Sequence, residues 1–332
     1  SHAGPSGLHT GPRATLALDS GKIYLMSSES TLYCYDQASG AELWNRNINT
    51  ELGFQCYQPE RGEASSPVIE GNLILFCFGT GGAALNKSDG SKAWCNSEGT
   101  TQYASFCSPT VYSSGPDRIA AFVATTSGTG GPCKGVKVAT GEIVWTFYPP
   151  GGFSCSDLMV YGNKIWFSQG YYDGRTSVAY TLGTGTLPQA ATGCIGAGST
   201  PNTLYNGYMY GIDRTTAAGP NRLTCMDAQN GASKWSGVDN DECGGCIACG
   251  NKILLATQAG SWPSEHCDIV LADSSPAAYS ELGRQTLWNG PTGGNGSGNA
   301  GGHLRPSIAN GKLYVRQYDG KLVCFNVVGT PS

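Results

Sequence analysis

The stretch "CYDQASGAELW" (residues 34–44) recurs along the chain, and its recurrence constrains the fold more than any other feature. It returns as "LNKSDGSKAW" ending at Trp94, "VKVATGEIVW" ending at Trp145 and "CMDAQNGASKW" ending at Trp235. Each copy places a Gly (40, 90, 141, 231) four residues before the Trp. Three of them place an Asp or Asn (36, 86, 227) four residues before the Gly. The Gly-to-Gly intervals are 50, 51 and 90 residues, so the last spans about two periods. A fixed period of this size marks a repeat architecture. In each copy the Gly supplies the φ > 0 position of a hairpin turn, and the Asp or Asn can bond to the turn's own backbone. The Trp then falls on an outer strand, where a large ring can cover the seam to the next repeat.

A second unit recurs: a small or polar stretch, a Gly-centred turn, then an apolar strand. It occupies 14–27, 65–78, 108–123, 156–168, 201–212, 245–257 and 305–317, which makes seven copies. Each copy leads into the first motif or a worn version of it. "VAYTLGTGTL" has lost the Trp, "IVLADSSPAAYSELGRQTLW" is stretched, and "LVCFNV" stops before its turn. Sustained i, i+3, i+4 apolar patterns are nearly missing, so each repeat reads as about four short antiparallel strands. Such units arrayed radially are propeller blades. The sequence therefore predicts an all-β, seven-bladed β-propeller of four-stranded antiparallel blades around a central channel. It would be a single domain over 1–332, with a loose N-terminal segment (1–12) and blades starting near 13, 62, 104, 153, 197, 242 and 302. The seventh blade stops at "LVCFNVV", so N-terminal or extreme C-terminal residues are expected to finish it, because an unpaired edge invites aggregation. Trp44, Trp94, Trp145 and Trp235 are expected to be buried at inter-blade seams.

The pattern "aLDxxTGxxxW" preceded by "GKxYxxxxdGxLxCxD" resembles the quinoprotein-like (PQQ-type) β-propeller repeat. "GPRAT" (11–15) and "NGKLYVRQYDGKLVCFNV" (310–327) are most similar to its secreted bacterial members. The resemblance covers nearly the whole chain and implies a propeller. It does not fix the function, since the superfamily holds alcohol dehydrogenases, assembly lipoproteins and other proteins. Its dehydrogenases are longer, usually have eight blades, and hold the quinone between a Trp floor and an adjacent Cys-Cys disulfide, with Glu, Asn and Asp around calcium. This sequence has no adjacent cysteine pair and no Glu-Asn-Asp set at matching positions, so neither PQQ nor calcium is expected.

Composition narrows the partners. A net charge of -4 with 13% charged residues gives no electrostatic support for nucleic acid or an anionic membrane surface. No apolar run approaches the roughly 18 residues of a membrane span, and a monomer is expected. The chain opens "SHAGPSG", which reads as a mature segment with a cloning remnant. Fourteen cysteines point to a secreted or periplasmic protein with disulfides. Cys34, Cys225 and Cys324 share one place in "LYCYD", "LTCMD" and "LVCFN" and read as buried free thiols; the other eleven are the disulfide candidates. Cys243, Cys246 and Cys249 have a superficially zinc-like or iron–sulfur-like spacing. They lack a fourth ligand at the ferredoxin distance and partly occupy a strand, so disulfides or buried thiols are preferred; Cys267, beside His266, is a candidate partner.

The residues just before each inner strand converge from separate parts of a propeller. Aligning the seven starts places Arg13 and His303 on equivalent positions, with Arg305 two residues beyond His303. Glu63, Asp157, Asp241 and Glu242 sit at or near other starts. Two arginines and a histidine would hold a carboxylate bidentately, or would pair with these acids and plug the channel. The first reading is a binder of a small or carbohydrate-like acidic ligand at the channel mouth. The alternatives are a uronate lyase-like enzyme with His303 as the candidate base, a protein-docking assembly scaffold and, least supported, a quinoprotein oxidoreductase. "QGYYDGRT" (169–176) and "NGPTGGNGSGNAGG" (289–302) are long loops suited to binding or docking.

Overall fold

The computed structural model describes residues 14–56, 63–97, 101–102, 106–125, 130–149, 156–168, 176–196, 202–213, 221–240, 242–259, 266–289, 306–316 and 322–327. Contacts group the chain into two compact units, 1–167 with 180–190, and 168–179 with 191–332. The fold class is the predicted one, an all-β seven-bladed propeller whose blades are antiparallel sheets in chain order. Blade one is Ala17–Asp19, Lys22–Met26, Thr31–Asp36 and Glu42–Asn47. Blade two runs from Val68 to Cys95, blade three from Thr110 to Phe147, and blade four from Met159 to Thr192. Blade five spans Thr203–Asn240 and blade six Glu242–Asn289. Blade seven shows three strands, Ser307–Ala309, Lys312–Arg316 and Leu322–Asn326. The residues expected to finish it, at either terminus, lie outside the described residues. The one helix among the described residues, Ile48–Leu52, is capped by Asn47, whose side chain accepts from the Thr50 N–H.

One hydrogen bond repeats in all seven blades and counts them. The residue after the third strand donates its N–H to a carbonyl in the first hairpin turn or, in blade three, just beyond it: Gln37 to Gly21, Lys87 to Asn72, Val138 to Arg118, Leu182 to Asn163, Ala228 to Gly207, Ser274 to Asn251 and Val327 to Gly311, all at 2.8–3.0 Å. The outer turn is built as its residues demand. Gly40, Gly90, Gly141 and Gly231 have φ of 72–81°, and each donates its N–H to the residue four before it. Asp36 and Asp227 accept a second N–H through Oδ1, from Ser39 and Gln229.

The core of each blade has a layer set by the strand register. In blade one Tyr24 pairs with Cys34, which pairs with Trp44. The same places hold Leu75, Ala84 and Trp94 in blade two, Ala121, Gly135 and Trp145 in blade three, and Tyr210, Cys225 and Trp235 in blade five. The residue opposite each Trp is small because the ring lies over it: a Cβ on Gly135 would sit 2.0 Å from Trp145. Blade six inverts the pattern, with Leu271 opposite Gly283.

The tryptophans dock as the repeat requires. A Cβ on Gly90 would meet Trp44 at 2.7 Å, and one on Gly141 would meet Trp94 at 2.8 Å, so each ring lies on the outer turn of the next blade. Trp94 and Trp235 also donate Nε1–H to turn carbonyls of the next blade, Val138 and Ser275, both at 2.8 Å. Trp145 and Trp235 are buried, whereas Trp44 and Trp94 are only partly so.

The cysteines correct the sequence reading. All ten whose surroundings are described are free thiols, including the disulfide candidates Cys77, Cys95, Cys107, Cys133, Cys194, Cys246 and Cys249. Most serve as small core side chains. Cys34 and Cys225 fit under tryptophans, and the Cys107 and Cys246 thiols donate to the Ser156 and Tyr210 carbonyls. Burial raises the Cys225 thiol to about 11, which keeps it protonated. The second correction is Cys324, which is exposed rather than buried. No Trp-bearing fourth strand lies beside it among the described residues.

Candidate functional site

The predicted site lies at the lead-ins to the inner strands, where small polar residues make a chain of inter-blade hydrogen bonds. The Thr15 N–H of blade one donates to Ser66 Oγ of blade two at 2.9 Å. The Ser66 N–H donates to Ser108 Oγ of blade three at 3.3 Å, and the Ser108 N–H to Asp157 Oδ1 of blade four at 2.6 Å. All four residues stand two places before the first residue of their strands (Ala17, Val68, Thr110 and Met159), so one position repeats one function. An N–H facing outward from one lead-in needs an acceptor, and a short hydroxyl or carboxylate on the next lead-in supplies it. At the far end of the same strands, ion pairs join the same blades. Lys87 of blade two reaches Asp19 of blade one at 2.7 Å, and Arg118 of blade three grips Glu70 of blade two at 2.8 and 3.1 Å. These partners hold the Asp19 and Glu70 carboxyls below their ordinary range.

Two of the predicted ligand residues can be placed. Glu63 is 1% exposed. Its Oε1 accepts the Ala64 and Ser65 N–H groups at 3.1 and 3.0 Å, and its own N–H donates to the Ser28 carbonyl at 3.0 Å. It turns the chain into blade two. Asp157 is the acceptor at the blade-four end of the hydrogen-bond chain. The two acids are not equivalent: Glu63 stands five residues before its strand and Asp157 two. Arg13, Asp241, His303 and Arg305 lie outside the described residues, as does the side chain of Glu242. "QGYYDGRT" and "NGPTGGNGSGNAGG" fall almost entirely outside them too.

Cys246 and Cys249 are three residues apart on one strand. Cys246 faces the Tyr210 carbonyl, while Cys249 is exposed beside the Lys252 hairpin, so they do not aim at a common ion.

Sequence reasoning missed the serine ties, because small polar residues before a strand look like any loop. It also missed a charged cluster in blade six. There Arg284 bonds both oxygens of Glu281 at 3.0 and 2.9 Å and the buried Asp268 at 3.0 Å, and Tyr279 donates to Glu281 at 2.8 Å. Glu281 is held low by Arg284. The cluster joins one guanidinium to two carboxylates of neighbouring strands.

The family described as outer membrane protein assembly factor BamB matches residues 4–237. The chain belongs to this family. BamB of Moraxella catarrhalis is similar over 94% of this chain and 84% of its own, with 13% identity and a TM-score of 0.64. A quinohemoprotein alcohol dehydrogenase of Pseudomonas putida aligns over 98% of this chain and 66% of its own, at 12% identity and a TM-score of 0.56. The computationally designed Ika8 protein aligns over 97% and 98%, at 11% identity and 0.54. These three likenesses show the fold alone. No curated protein matches the sequence. The PQQ-type repeat read from the motifs is thus the repeat of the BamB family.

Proposed function

We propose that this member of the BamB family is a protein-docking propeller serving outer-membrane protein assembly on the periplasmic side. The observation that carries the proposal is the family match across residues 4–237. The geometry supports it. Blades one to four are tied by backbone-to-side-chain hydrogen bonds at the lead-ins, and blades one to three also by ion pairs at the far turns. Such cross-ties make a stiff frame from which loops can present a partner surface. The test is deletion of the gene in its source organism, followed by measurement of folded barrel proteins in the outer membrane. Their level falls, and the intact gene restores it, if the proposal holds. An unchanged level overturns it.

One observation favours a second role, the binding of a small acidic ligand by the His303–Arg305 lead-in. At the position where blades one to four carry Thr15, Ser66, Ser108 and Asp157, the sequence of blade seven carries Arg305. A guanidinium has no acceptor and cannot continue that hydrogen-bond pattern; it is suited to a carboxylate. Titration with galacturonate oligomers tests the role. Heat released by the parent and lost in Arg305→Ala, with Tm unchanged, supports it. No heat from the parent, or a Tm that collapses in the variant, removes it. Absorbance growing near 230 nm would make the same site a lyase.

A further inference from the structure

Three of the four repeat tryptophans spend their indole N–H on a protein oxygen. Trp94 reaches the Val138 carbonyl, Trp235 the Ser275 carbonyl, both at 2.8 Å, and Trp145 the Tyr112 hydroxyl at 2.7 Å. Trp44 is the exception: its Nε1 is shielded from solvent and meets no acceptor among the described residues. Beside it the Tyr24 hydroxyl, on a residue that is 0% exposed, meets no oxygen acceptor either and has the weakly accepting Cys34 sulfur as its neighbour. Burial pushes that phenol up to about 12, so it stays a protonated donor.

Blade five shows what these two groups do when satisfied. Its Tyr210 and Trp235 stand in the same register around Cys225 as Tyr24 and Trp44 around Cys34. The ring geometry is the same, with centroids 6.0 Å apart and planes at 49° in blade five, and 6.1 Å and 49° in blade one. In blade five the donors converge on consecutive carbonyls of the next blade, Tyr210 on Ser274 at 2.5 Å and Trp235 on Ser275 at 2.8 Å. The recurring N–H bond makes Lys87 of blade two the counterpart of Ser274. Carried over to blade one, the register of blade five aims these two buried donors at the blade-two turn, whose carbonyls they do not bond. Leaving two buried donors unmet is costly. A site with two donors and nearby backbone carbonyls has the two to four polar partners a buried water requires.

We infer that an internal water is bound at this seam, accepting from Tyr24 Oη and Trp44 Nε1 and donating to the blade-two turn at Lys87 or Ser88. It takes the place of the direct carbonyl bonds in the seam of blades five and six. A crystal structure of the parent that resolves ordered solvent tests this. The expected result is a solvent peak within hydrogen-bond distance of both donors, and none between Tyr210, Trp235 and their carbonyls. A second measurement uses indole N–H resonances in 15N-labelled protein: the Trp44 signal should show a cross-peak to water that Tyr24→Phe weakens and Tyr210→Phe does not. No solvent peak, a direct bond from either donor to a protein carbonyl, or a cross-peak indifferent to Tyr24→Phe overturns the inference.

Discussion

Blades one and seven start from closely similar strands, "KIYLM" with "TLYCYD" and "KLYVR" with "LVCFN", and they fold in the same register. Tyr24 faces Cys34 as Tyr314 faces Cys324, and the Gln37–Gly21 bond has its copy in Val327–Gly311. Their surfaces differ. Leu32 is 0% exposed and its counterpart Leu322 is 67% exposed; Cys34 is buried and Cys324 is not. In blade one the strand Glu42–Asn47 lies alongside with Trp44 opposite Cys34, and blade seven has no counterpart among the described residues. The comparison teaches that a third strand of this repeat does not bury itself. In blade four the strand Gln189–Thr192 lies in the same sheet without a Trp and Ser177–Tyr180 are still buried, so it is the covering strand rather than the ring that makes these residues core.

The largest expected effect is on thiol reactivity. In the folded protein, alkylation should modify Cys324 at once and leave Cys34 and Cys225 untouched until the structure opens. If opening costs ~4 kcal/mol, the rates differ by ~10³-fold. Mass spectrometry of briefly treated protein measures this, and comparable labelling of Cys34 and Cys324 would break the contrast. Next comes the tryptophan itself. Trp235→Ala removes a buried ring and its bond to Ser275, and should cost about 3–5 kcal/mol in denaturant unfolding. Parent-like unfolding would mean that the fourth strand covers the blade without help from the ring.

A smaller effect separates two glycines with the same turn conformation. Gly40 and Gly90 have φ of 72° and 74°, yet a Cβ on Gly40 meets nothing within 4 Å, whereas one on Gly90 meets Trp44 and Arg46 at 2.7 Å. Gly40→Ala should cost only the left-handed strain, about 1–2 kcal/mol. Gly90→Ala should cost about 1–3 kcal/mol more, because the ring above it must move. Equal losses would show that Trp44 does not dock on that turn.

These residues also show what could be read from sequence and what could not. The Gly-to-Trp spacing was legible because a positive φ and a large docking ring leave few alternatives at either position. The cysteines misled, because a buried small side chain and a disulfide half look the same until the facing residue is known. With Trp44 opposite Cys34 and Trp235 opposite Cys225, the thiols are fillers beneath rings. The serine ties were invisible, since Ser66 and Ser108 gain meaning only from an N–H on another blade. Glu63 and Asp157 both precede the first strand of a blade, five and two residues before it. Sequence alignment could not separate a carboxylate that turns its own chain from one that accepts a neighbour's N–H.

The smallest expected effect is the acid sensitivity of the inter-blade ion pairs, and it again divides blade one from blade seven. The last residue of the first strand is Asp19 in blade one and Glu70 in blade two, each paired with a cation of the following blade. In blade seven the same place holds Ala309, which has nothing to titrate. Hydrogen bonds from Lys87 and Arg118 lower the two carboxyls in the folded state, so the unfolded chain takes up protons first as pH falls. The contribution of the pairs is therefore complete above the ordinary carboxylate range. It shrinks as pH falls through that range and is gone once the lowered folded values are passed. All four side chains are partly exposed, so solvent and salt screen the pairs strongly. The double variant Asp19→Asn, Glu70→Gln should lie only about a degree or two below the parent in Tm at neutral pH and low salt. That gap should close on acidification and in high salt, whereas Ala309→Ser should show no pH-dependent gap at all. A gap that widens on acidification would mean that the carboxyls are not stabilised in their charged form, and that the ion pairs do not help to hold blades one to three together.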